Sequence, residues 1–218
     1  MARPPNADGQ RTRQAILDAA LGLFADKGYC GTSLRDVARA VGVRESALYT
    51  YFPGKEALFE ALLTADSAAK VDRYSALLEM PVGDGHAMLE ELATFILDRF
   101  VVPQQQQLFR ILMSDGMRLA RDGRINLLER MSSSRPRLEE IMQRLVEAGV
   151  LRDVDAELLV MQFIGPLLFW RHLHAIGART PHIRDRRAFA RAHVDQFLHG
   201  AAPESPVVAA SVRRTRTA

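Results

Sequence analysis

The chain has 218 residues, of which 48% are hydrophobic and 25% are charged, a composition typical of a globular protein with a sizeable core. Its one cysteine, Cys30, excludes an internal disulfide, and no stretch approaches the ~18 consecutive apolar residues of a membrane-spanning helix. The polar opening segment lacks the apolar run of a signal peptide, so we expect a cytoplasmic protein. Residues 1–55 carry 8 Lys or Arg and 5 Asp or Glu, which favours a polyanionic partner for this segment.

The chain begins with a segment that we expect to be disordered, residues 1–10, followed by a helix predicted from Arg11. This helix should end at Gly28, because glycine commonly terminates helices. Its apolar residues form one stripe, which consists of Ile16, Ala19, Ala20, Leu23 and Phe24. No strand-like alternation and no glycine-rich phosphate loop occur along the chain, so the predicted fold class is all-α.

The next stretch, from Thr32 to Lys55, reads TSLRDVARAVGVRESALYTYFPGK. Thr32 or Ser33 is a candidate N-cap for a helix that begins directly afterwards. The apolar residues of this helix follow at spacings of three and four, which places them on one face: Leu34, Val37, Ala38 and Val41. A short amphipathic helix is therefore predicted to follow the cap.

A second short helix is predicted immediately after the first. Gly42 marks the turn between them, and Pro53 should end the second helix near Phe52, because proline disfavours a helical residue before it. Two short helices joined by a turn with glycine form a helix-turn-helix, whose second helix can lie in the DNA major groove. Residues 11–55 are therefore predicted to be a three-helix DNA-binding domain.

The remainder, residues 56–200, is predicted to form a larger helical domain, followed by a disordered tail at 201–218. Including the first three, about nine helices are expected, with a short helical piece at 125–131. The predicted later helices span residues 55–78, 86–100, 104–119, 134–148, 156–177 and 185–198. The helix at 156–177 is apolar on almost every side, which indicates burial on more than one side, and Pro166 should bend it.

The motif resembles that of TetR-family (tetracycline-repressor-like) transcriptional regulators. The resemblance covers residues 11–62 and rests on several segments in one register: Thr32-Ser33-Leu34, Val37-Ala38, Ala40-Val41-Gly42-Val43, Leu48-Tyr49-Thr50-Tyr51-Phe52 and Lys55-Glu56. It implies a repressor that binds a palindromic operator as a homodimer and releases DNA when a small effector binds the C-terminal domain. Many members have Ser at position 44 and a small residue at 46, whereas this chain has Arg44 and Ser46, so no base preference is implied.

The outer side of the motif supplies the candidate DNA contacts. Thr32 or Ser33 is either a plain N-cap or a phosphate ligand, and Arg35 is a phosphate candidate near the same helix start. Arginine can pair with guanine, and glutamate can accept from the cytosine amino group, where the second helix begins. The candidate base-reading residues there are Arg44, Glu45, Ser46 and Thr50. Glu45 fits equally well as an acidic residue that stabilises the helix N-terminus.

Three further residues complete the candidate DNA surface. The family resemblance implies that Tyr49 and Lys55 contact phosphates; without it, Lys55 would be interpreted as a solvated charge. Tyr51 is included as well, although its spacing places it beside the packed face of Leu48 and Phe52.

A single short helix-turn-helix gives little affinity, so two copies on half-sites one DNA turn apart are expected. The helices at about 156–177 and 185–198 are the candidate homodimer interface, with an internal core helix as the alternative. The middle helices, together with the helix at 156–177, could line a pocket for a hydrophobic or aromatic effector, although core packing explains each of the candidate residues as well. The candidate pocket residues are Phe95, Arg99, Phe109, Met113, Met117, Phe163, Leu167 and Trp170.

We predict no enzymatic activity, no cofactor, no metal site and no membrane partner. His172 and His174 do not share a helix face, Cys30 has no histidine nearby in sequence, and Ser132–Ser134 lacks the context of a catalytic serine. The predicted partners are an operator in nucleoid DNA, a second copy of the chain and a small molecule. Two alternatives stay open: an α-helical adaptor or dimerisation protein without DNA binding, and a transcriptional activator of the same fold.

Overall fold

The structure is a computed structural model that describes residues 7–125 and 134–201. All regular secondary structure within these two ranges is helical, without any strand. Residues 1–6, residues 126–131 of the helical piece predicted at 125–131, and residues 202–218 of the tail predicted at 201–218 lie outside the described residues. In the described part of the chain, no helix combines the length and the hydrophobicity needed to cross a membrane.

Eleven helices follow one another in the described residues, and a π-turn at Leu112–Gly116 separates the sixth from the seventh. Their bounds are α1 Ala7–Lys27, α2 Leu34–Val41, α3 Glu45–Leu48, α4 Lys55–Leu78, α5 Gly85–Phe100, α6 Pro103–Ile111, α7 Met117–Arg121, α8 Arg135–Glu147, α9 Ala156–Ala175, α10 Pro181–Arg184 and α11 Arg186–Ala201. The predicted all-α class is confirmed. The two helices beyond the predicted nine are α7, which the π-turn separates from α6, and the four-residue α10.

The start of α1 differs from the sequence-based expectation. The helix begins at Ala7 rather than at Arg11, so residues 7–10 are helical. Asp8 lies in the first turn, where its charge favours the helix N-terminus, and the Thr12 hydroxyl donates to the Asp8 carbonyl at 2.9 Å. These local interactions extend the helix beyond the apolar stripe from which it was predicted.

The chain forms two compact units, which we describe separately. Unit 1 consists of Met1–Lys70 with Val101–Ser133, and unit 2 consists of Val71–Phe100 with Ser134–Ala218. Unit 1 thus contains α6 and α7 in addition to the helix-turn-helix. The functional division predicted at residue 55 stays a prediction, because packing and function need not divide a chain at the same position.

One apolar cluster holds unit 1 together. It joins the inner faces of α1, α2 and α3 to the beginning of α4 and to the α6–α7 segment; its members include Phe24, Tyr29, Leu48, Phe52, Leu58, Phe59, Leu108, Ile111 and Leu119. Phe24, Tyr29 and Phe59 pack as mutual aromatic neighbours, with ring centroids 5.4–6.0 Å apart. The DNA-binding helices therefore share their core with a segment far from them in sequence.

Unit 2 is built around α5, α9 and α11. Trp170 is fully buried in α9, where its indole N–H donates to the His182 carbonyl at 3.0 Å and its ring stacks on His174. Phe163, one of the other buried residues of α9, accepts a hydrogen bond from His193 at 2.8 Å through its carbonyl. Burial lowers the pKa of His193, which favours the neutral ring in this core.

The apolar helix α9 has two distinct faces. It runs unbroken from Ala156 to Ala175 with Pro166 inside it. One face is buried in unit 2 and consists of Leu159, Val160, Phe163, Leu167 and Trp170. The opposite face exposes large apolar side chains at helical spacing, namely Leu158, Met161, Leu168, Phe169 and, just after the helix, Ile176. Within one chain, therefore, only half of the apolar surface of α9 is buried.

Candidate DNA-binding site

A capping box fixes the start of α2. The Ser33 hydroxyl accepts from the Asp36 amide at 3.1 Å and donates to the Asp36 carboxylate at 2.6 Å, while the Ser33 amide donates to the same carboxylate at 3.0 Å. The N-cap predicted at Thr32 or Ser33 is therefore Ser33. These bonds from Ser33 hold the pKa of the Asp36 carboxyl below its usual range, so the cap favours the ionised carboxylate.

Replacing Ser33 with Ala is expected to lower the free energy of unfolding by about 1 kcal/mol, because the Asp36 amide loses its acceptor. Asp36 has a lowered pKa in the folded state, so its stabilisation is present above the ordinary carboxyl range and is lost as the pH falls through the folded pKa. The difference in free energy of unfolding between the wild type and Ser33→Ala should therefore become smaller at acidic pH. Urea unfolding at several pH values measures both effects.

The matched control is Ser46→Ala, since Ser46 is exposed in α3. We expect this change to stay within about 0.5 kcal/mol of the wild type. Equal effects of the two substitutions would contradict the role assigned to the capping box.

The turn between α2 and α3 depends on glycine. Gly42 has φ 79°, a left-handed conformation that other residues adopt at a cost, and its amide reaches the last carbonyls of α2. The Val43 amide then bonds the Ala38 carbonyl at 3.0 Å. These backbone bonds end α2 and set the direction in which the chain leaves it.

The second helix of the motif is shorter than predicted. Regular α3 covers Glu45–Leu48, and Arg44 precedes it in an extended conformation. The chain continues in turns whose amides bond back to α3, with Tyr51 and Phe52 both donating to the Leu48 carbonyl at 3.0 Å. Leu48 and Phe52 are buried, as their role in the inner face requires, and Arg13 lies over the Phe52 ring.

The structure brings most of the predicted DNA contacts to the surface of the motif. The exposed ones are Ser33, Arg35, Arg44, Glu45, Ser46, Tyr49 and Thr50. Tyr49 is 51% exposed, so its ring and hydroxyl are accessible to an external partner. Tyr51 is half-buried, as its spacing beside Leu48 and Phe52 indicated.

The structure corrects the role predicted for Thr32. It is 1% exposed, and its hydroxyl donates to the carbonyls of Leu23 and Gly28 at 3.1 and 3.0 Å. The expectation that Thr32 caps α2 or contacts a phosphate is therefore wrong. Its hydroxyl instead ties the loop before α2 to the end of α1, an interaction between residues that sequence periodicity does not reveal.

Lys55 has a more specific environment than a solvated charge. Its ammonium donates to the carbonyls of Tyr29 and Thr32 at 2.8 and 2.9 Å and lies 4.3 Å from the centre of the Tyr29 ring. It therefore joins the start of α4 to the loop before α2. Because an ammonium has three N–H groups, these two carbonyls leave one donor for another acceptor.

Sequence reasoning missed Asp115 of the π-turn. One of its carboxylate oxygens accepts from the Tyr29 amide at 2.8 Å and the other from Arg118 at 2.8 Å. Burial raises the pKa of this carboxyl, but the bonds from Tyr29, Arg118 and Ser114 outweigh that effect and leave the pKa below its usual range. Asp115 is 86 positions from Tyr29, and no local pattern signals such a contact.

The candidate effector residues occupy different environments in the two units. In unit 2, Phe163, Leu167 and Trp170 are buried, while Phe95 lies beneath the guanidinium of Arg99. In unit 1, Phe109 is half-buried and the side chains of Met113 and Met117 are 48% and 66% exposed. An open groove of ≈ 530 Å³ on the surface of unit 2 is lined by Arg73, Ala87, Glu90, Glu91, Thr94, Phe95 and Asp98, so it includes one of the predicted residues.

No group of three or more potential metal ligands occurs among the described residues. His174 is stacked on Trp170, and the exposed Cys30 accepts from the Arg118 guanidinium at 2.9 Å. Ser134 is buried, whereas Ser132 and Ser133 lie outside the described residues. The described residues thus place Cys30, His174 and Ser134 in packing and hydrogen-bonding roles.

A capped helix, a glycine turn and a second helix with an exposed Arg-Glu-Ser start define a helix-turn-helix DNA-binding protein. Residues 16–62 match the bacterial regulatory proteins of the tetR family, and residues 87–200 match the C-terminal domain of AefR-like transcriptional repressors. The chain belongs to the TetR family of bacterial transcriptional regulators, and it is a ligand-responsive repressor.

Two curated relatives illustrate the similarity. The HTH-type transcriptional regulator AcrR of Shigella flexneri is 30% identical over 160 residues, 69% of this chain and 72% of that protein. The HTH-type transcriptional repressor KstR2 of Rhodococcus jostii is 28% identical over 166 residues, 71% of this chain and 78% of that protein. Among solved structures, the fatty acid degradation regulator FadR of Bacillus halodurans superimposes with a TM-score of 0.70 at 21% identity, covering 91% of this chain and 97% of that chain, which shows a common fold.

Proposed function

We propose that the protein represses transcription by binding a palindromic operator as a homodimer and that a small effector releases it from DNA. Its site of action is then the nucleoid. The observation that carries the proposal is the row of exposed polar side chains on α3 and the turn after it, above an inner face whose Leu48 and Phe52 are buried in the core of unit 1. Such a row is what a recognition helix needs to reach base edges in the major groove.

The exposed residues divide into two groups by chemistry and position. Arg44, Glu45, Ser46 and Thr50 have side chains that can hydrogen-bond to base edges, and we propose that they read sequence. The proposed phosphate contacts are Ser33, Arg35, Tyr49, Lys55 and, at the margin of the surface, Tyr51. For Lys55, the N–H group that the Tyr29 and Thr32 carbonyls do not use is the proposed donor.

The second face of α9 supports the proposed homodimer. Its exposed apolar side chains, Leu158, Met161, Leu168, Phe169 and Ile176, recur at helical spacing and form one stripe along the helix. Gly165 lies within the same stripe and has open space above it, which permits close approach of a second helix. Monomeric proteins rarely expose a continuous apolar surface of this kind. We propose that α9 pairs with its copy, with α11 beside it, and so holds the two DNA-binding units together.

The proposed effector site is the open groove beside Phe95. Its volume of ≈ 530 Å³ suits a small molecule, and the Phe95 ring supplies an aromatic surface packed edge-on against Tyr74. The rim is more polar than expected, because Arg73 and Glu91 form an ion pair there and Asp98 pairs with Arg186. An effector that releases DNA must bind more tightly to the form that does not fit the operator.

Selection of genomic DNA fragments by the purified protein tests the function. We expect a short palindrome in the selected fragments, with binding that weakens steeply as salt is raised. Arg44→Ala should change the preferred base at one position of each half-site, at a cost of about 1–3 kcal/mol for the original sequence. Tyr49→Phe removes only a hydroxyl and should weaken binding to all fragments equally. Fluorescence anisotropy with the selected fragment and with base-substituted versions measures both.

Arg39→Ala is the matched control, because Arg39 is an exposed arginine of α2 outside the proposed base-reading row. It should leave the preferred sequence unchanged. If Arg44→Ala weakens binding without changing the preference, the base-reading role is wrong. If the wild type selects no fragment, the α-helical adaptor becomes the better interpretation, and a reporter gene whose expression rises with the bound protein would identify an activator.

A further inference from the structure

The π-turn at Leu112–Gly116 is an unusual element in the core of unit 1. It interrupts an otherwise continuous helical segment from Pro103 to Arg121, whose residues Leu108, Ile111 and Leu119 are buried in the same cluster as the DNA-binding helices. A π-turn wraps one extra residue into the helix, is rare, and occurs often at functional positions.

The π-turn directs Asp115 to the loop that precedes the helix-turn-helix. The Asp115 side chain is 13% exposed and accepts the Tyr29 amide at 2.8 Å. Arg118, which pairs with the other carboxylate oxygen, also donates to the Cys30 sulfur at 2.9 Å. Asp115 in the π-turn and Arg118 in α7 thus hydrogen-bond to the consecutive loop residues Tyr29 and Cys30.

The same loop is held from the opposite direction by α4. Lys55 donates to the carbonyls of Tyr29 and Thr32, and the centre of the Tyr29 ring lies 4.3 Å from the Lys55 ammonium and 5.5 Å from the Arg124 guanidinium. Tyr29 therefore has its amide bound by Asp115 and its carbonyl bound by Lys55. Ser33, which caps α2, comes only four residues later, so the position of this loop determines where α2 begins.

We propose that Asp115 is a positioning residue for DNA binding, because from the π-turn it fixes the loop that places α2 and α3 against the operator. The register that the π-turn gives this segment brings Asp115 to the Tyr29 amide. If the segment adopted a plain α-helix, successive residues would rotate by about 100° and Ser114 or Gly116 would take the place of Asp115. Neither neighbour carries a carboxylate for the Tyr29 amide, so the two helical forms of one segment would differ in operator affinity.

The inference rests on the proposed operator binding, and Asp115→Ala tests it in the full-length protein. The probe is the double-stranded fragment recovered by genomic selection. Losing the carboxylate should weaken binding about 10-fold or more and accelerate hydrogen exchange of the loop amides before α2. Exchange in the core of α9 should stay at the wild-type rate, which separates a local effect from general unfolding. Asp115→Asn keeps an acceptor oxygen and should restore part of the affinity.

Asp122→Ala is the control, since Asp122 is an exposed acid directly after α7 and its removal changes the net charge identically. It should bind DNA and exchange its loop amides as the wild type does. If the wild type binds DNA and the Asp115→Ala protein binds it equally well, this inference is wrong and the proposed function is unaffected. Faster exchange throughout the chain, including α9, overturns the inference as well, whereas a wild type that selects no fragment overturns the proposed function.

Discussion

Phe169→Glu is expected to convert the protein from a dimer to a monomer and to weaken operator binding about 100-fold or more. Phe169 is 64% exposed on the apolar stripe of α9, so within one chain its side chain contributes little to the core. At a twofold interface the substitution would place a charge in an apolar contact on both subunits. The loss of affinity follows because two linked DNA-binding units gain roughly 10²–10⁴ over one through effective concentration.

Analytical ultracentrifugation gives the oligomeric state, and anisotropy with the selected fragment gives the affinity. Phe169→Leu is the matched control, because it keeps an apolar side chain at the same position and should remain dimeric. The thermal unfolding of the Phe169→Glu subunit should still be cooperative, since the buried face of α9 is unchanged. If Phe169→Glu stays dimeric and binds DNA normally, the proposed interface is wrong.

The inner face of the helix-turn-helix was predictable because its determinants are local. Val37 and Leu48 are buried as their spacing required, Gly42 adopts the left-handed conformation expected of the turn, and the serine cap lies within one residue of its predicted position. Each of these features depends on neighbours within four residues along the chain. The predicted fold class follows from the same kind of signal, repeated along the chain.

The polar contacts around the motif were not predictable, because they join residues distant in sequence. Thr32 was a candidate N-cap by its position, yet its hydroxyl donates to carbonyls at the end of α1 and in the loop that follows. Lys55 was assigned to phosphate by resemblance, and its bonds to two loop carbonyls became evident only in the folded chain. Asp115 lies in a π-turn, and helical periodicity assumes 3.6 residues per turn, so a sequence pattern does not reveal one extra residue.

The helix α9 lies between these two cases. Its composition indicated contacts on more than one side, and one side is indeed buried. Composition alone did not divide the apolar residues between an internal and an external face. Trp170 illustrates the difficulty: an aromatic residue in such a helix fits a pocket, a core or an interface, and the structure places it in the core with its indole N–H satisfied.

Gly31→Ala is expected to weaken operator binding at least 10-fold and to lower the free energy of unfolding by about 1–3 kcal/mol. A Cβ at Gly31 would lie 2.3 Å from the Lys27 carbonyl oxygen, a distance at which the backbone must move. The loop has little freedom to do so, because Thr32 is bonded to Leu23 and Gly28. The Lys55 ammonium binds the same loop by donating to the carbonyls of Tyr29 and Thr32. We therefore expect the strain to shift this loop and, with it, the start of α2.

Gly22→Ala provides the contrast within the same unit. Gly22 lies inside α1 with open space where a Cβ would be, so alanine should stabilise the helix by about 0.5–1 kcal/mol and leave DNA binding unchanged. Urea unfolding of the wild type and the two variants gives the free energies of unfolding, and fluorescence anisotropy gives their operator affinities. The two substitutions should differ in both quantities. If Gly31→Ala bound the operator as tightly as the wild type, the loop would be free to move. The positioning role of Asp115 would then lose its physical basis, because that role requires a loop that adopts one position.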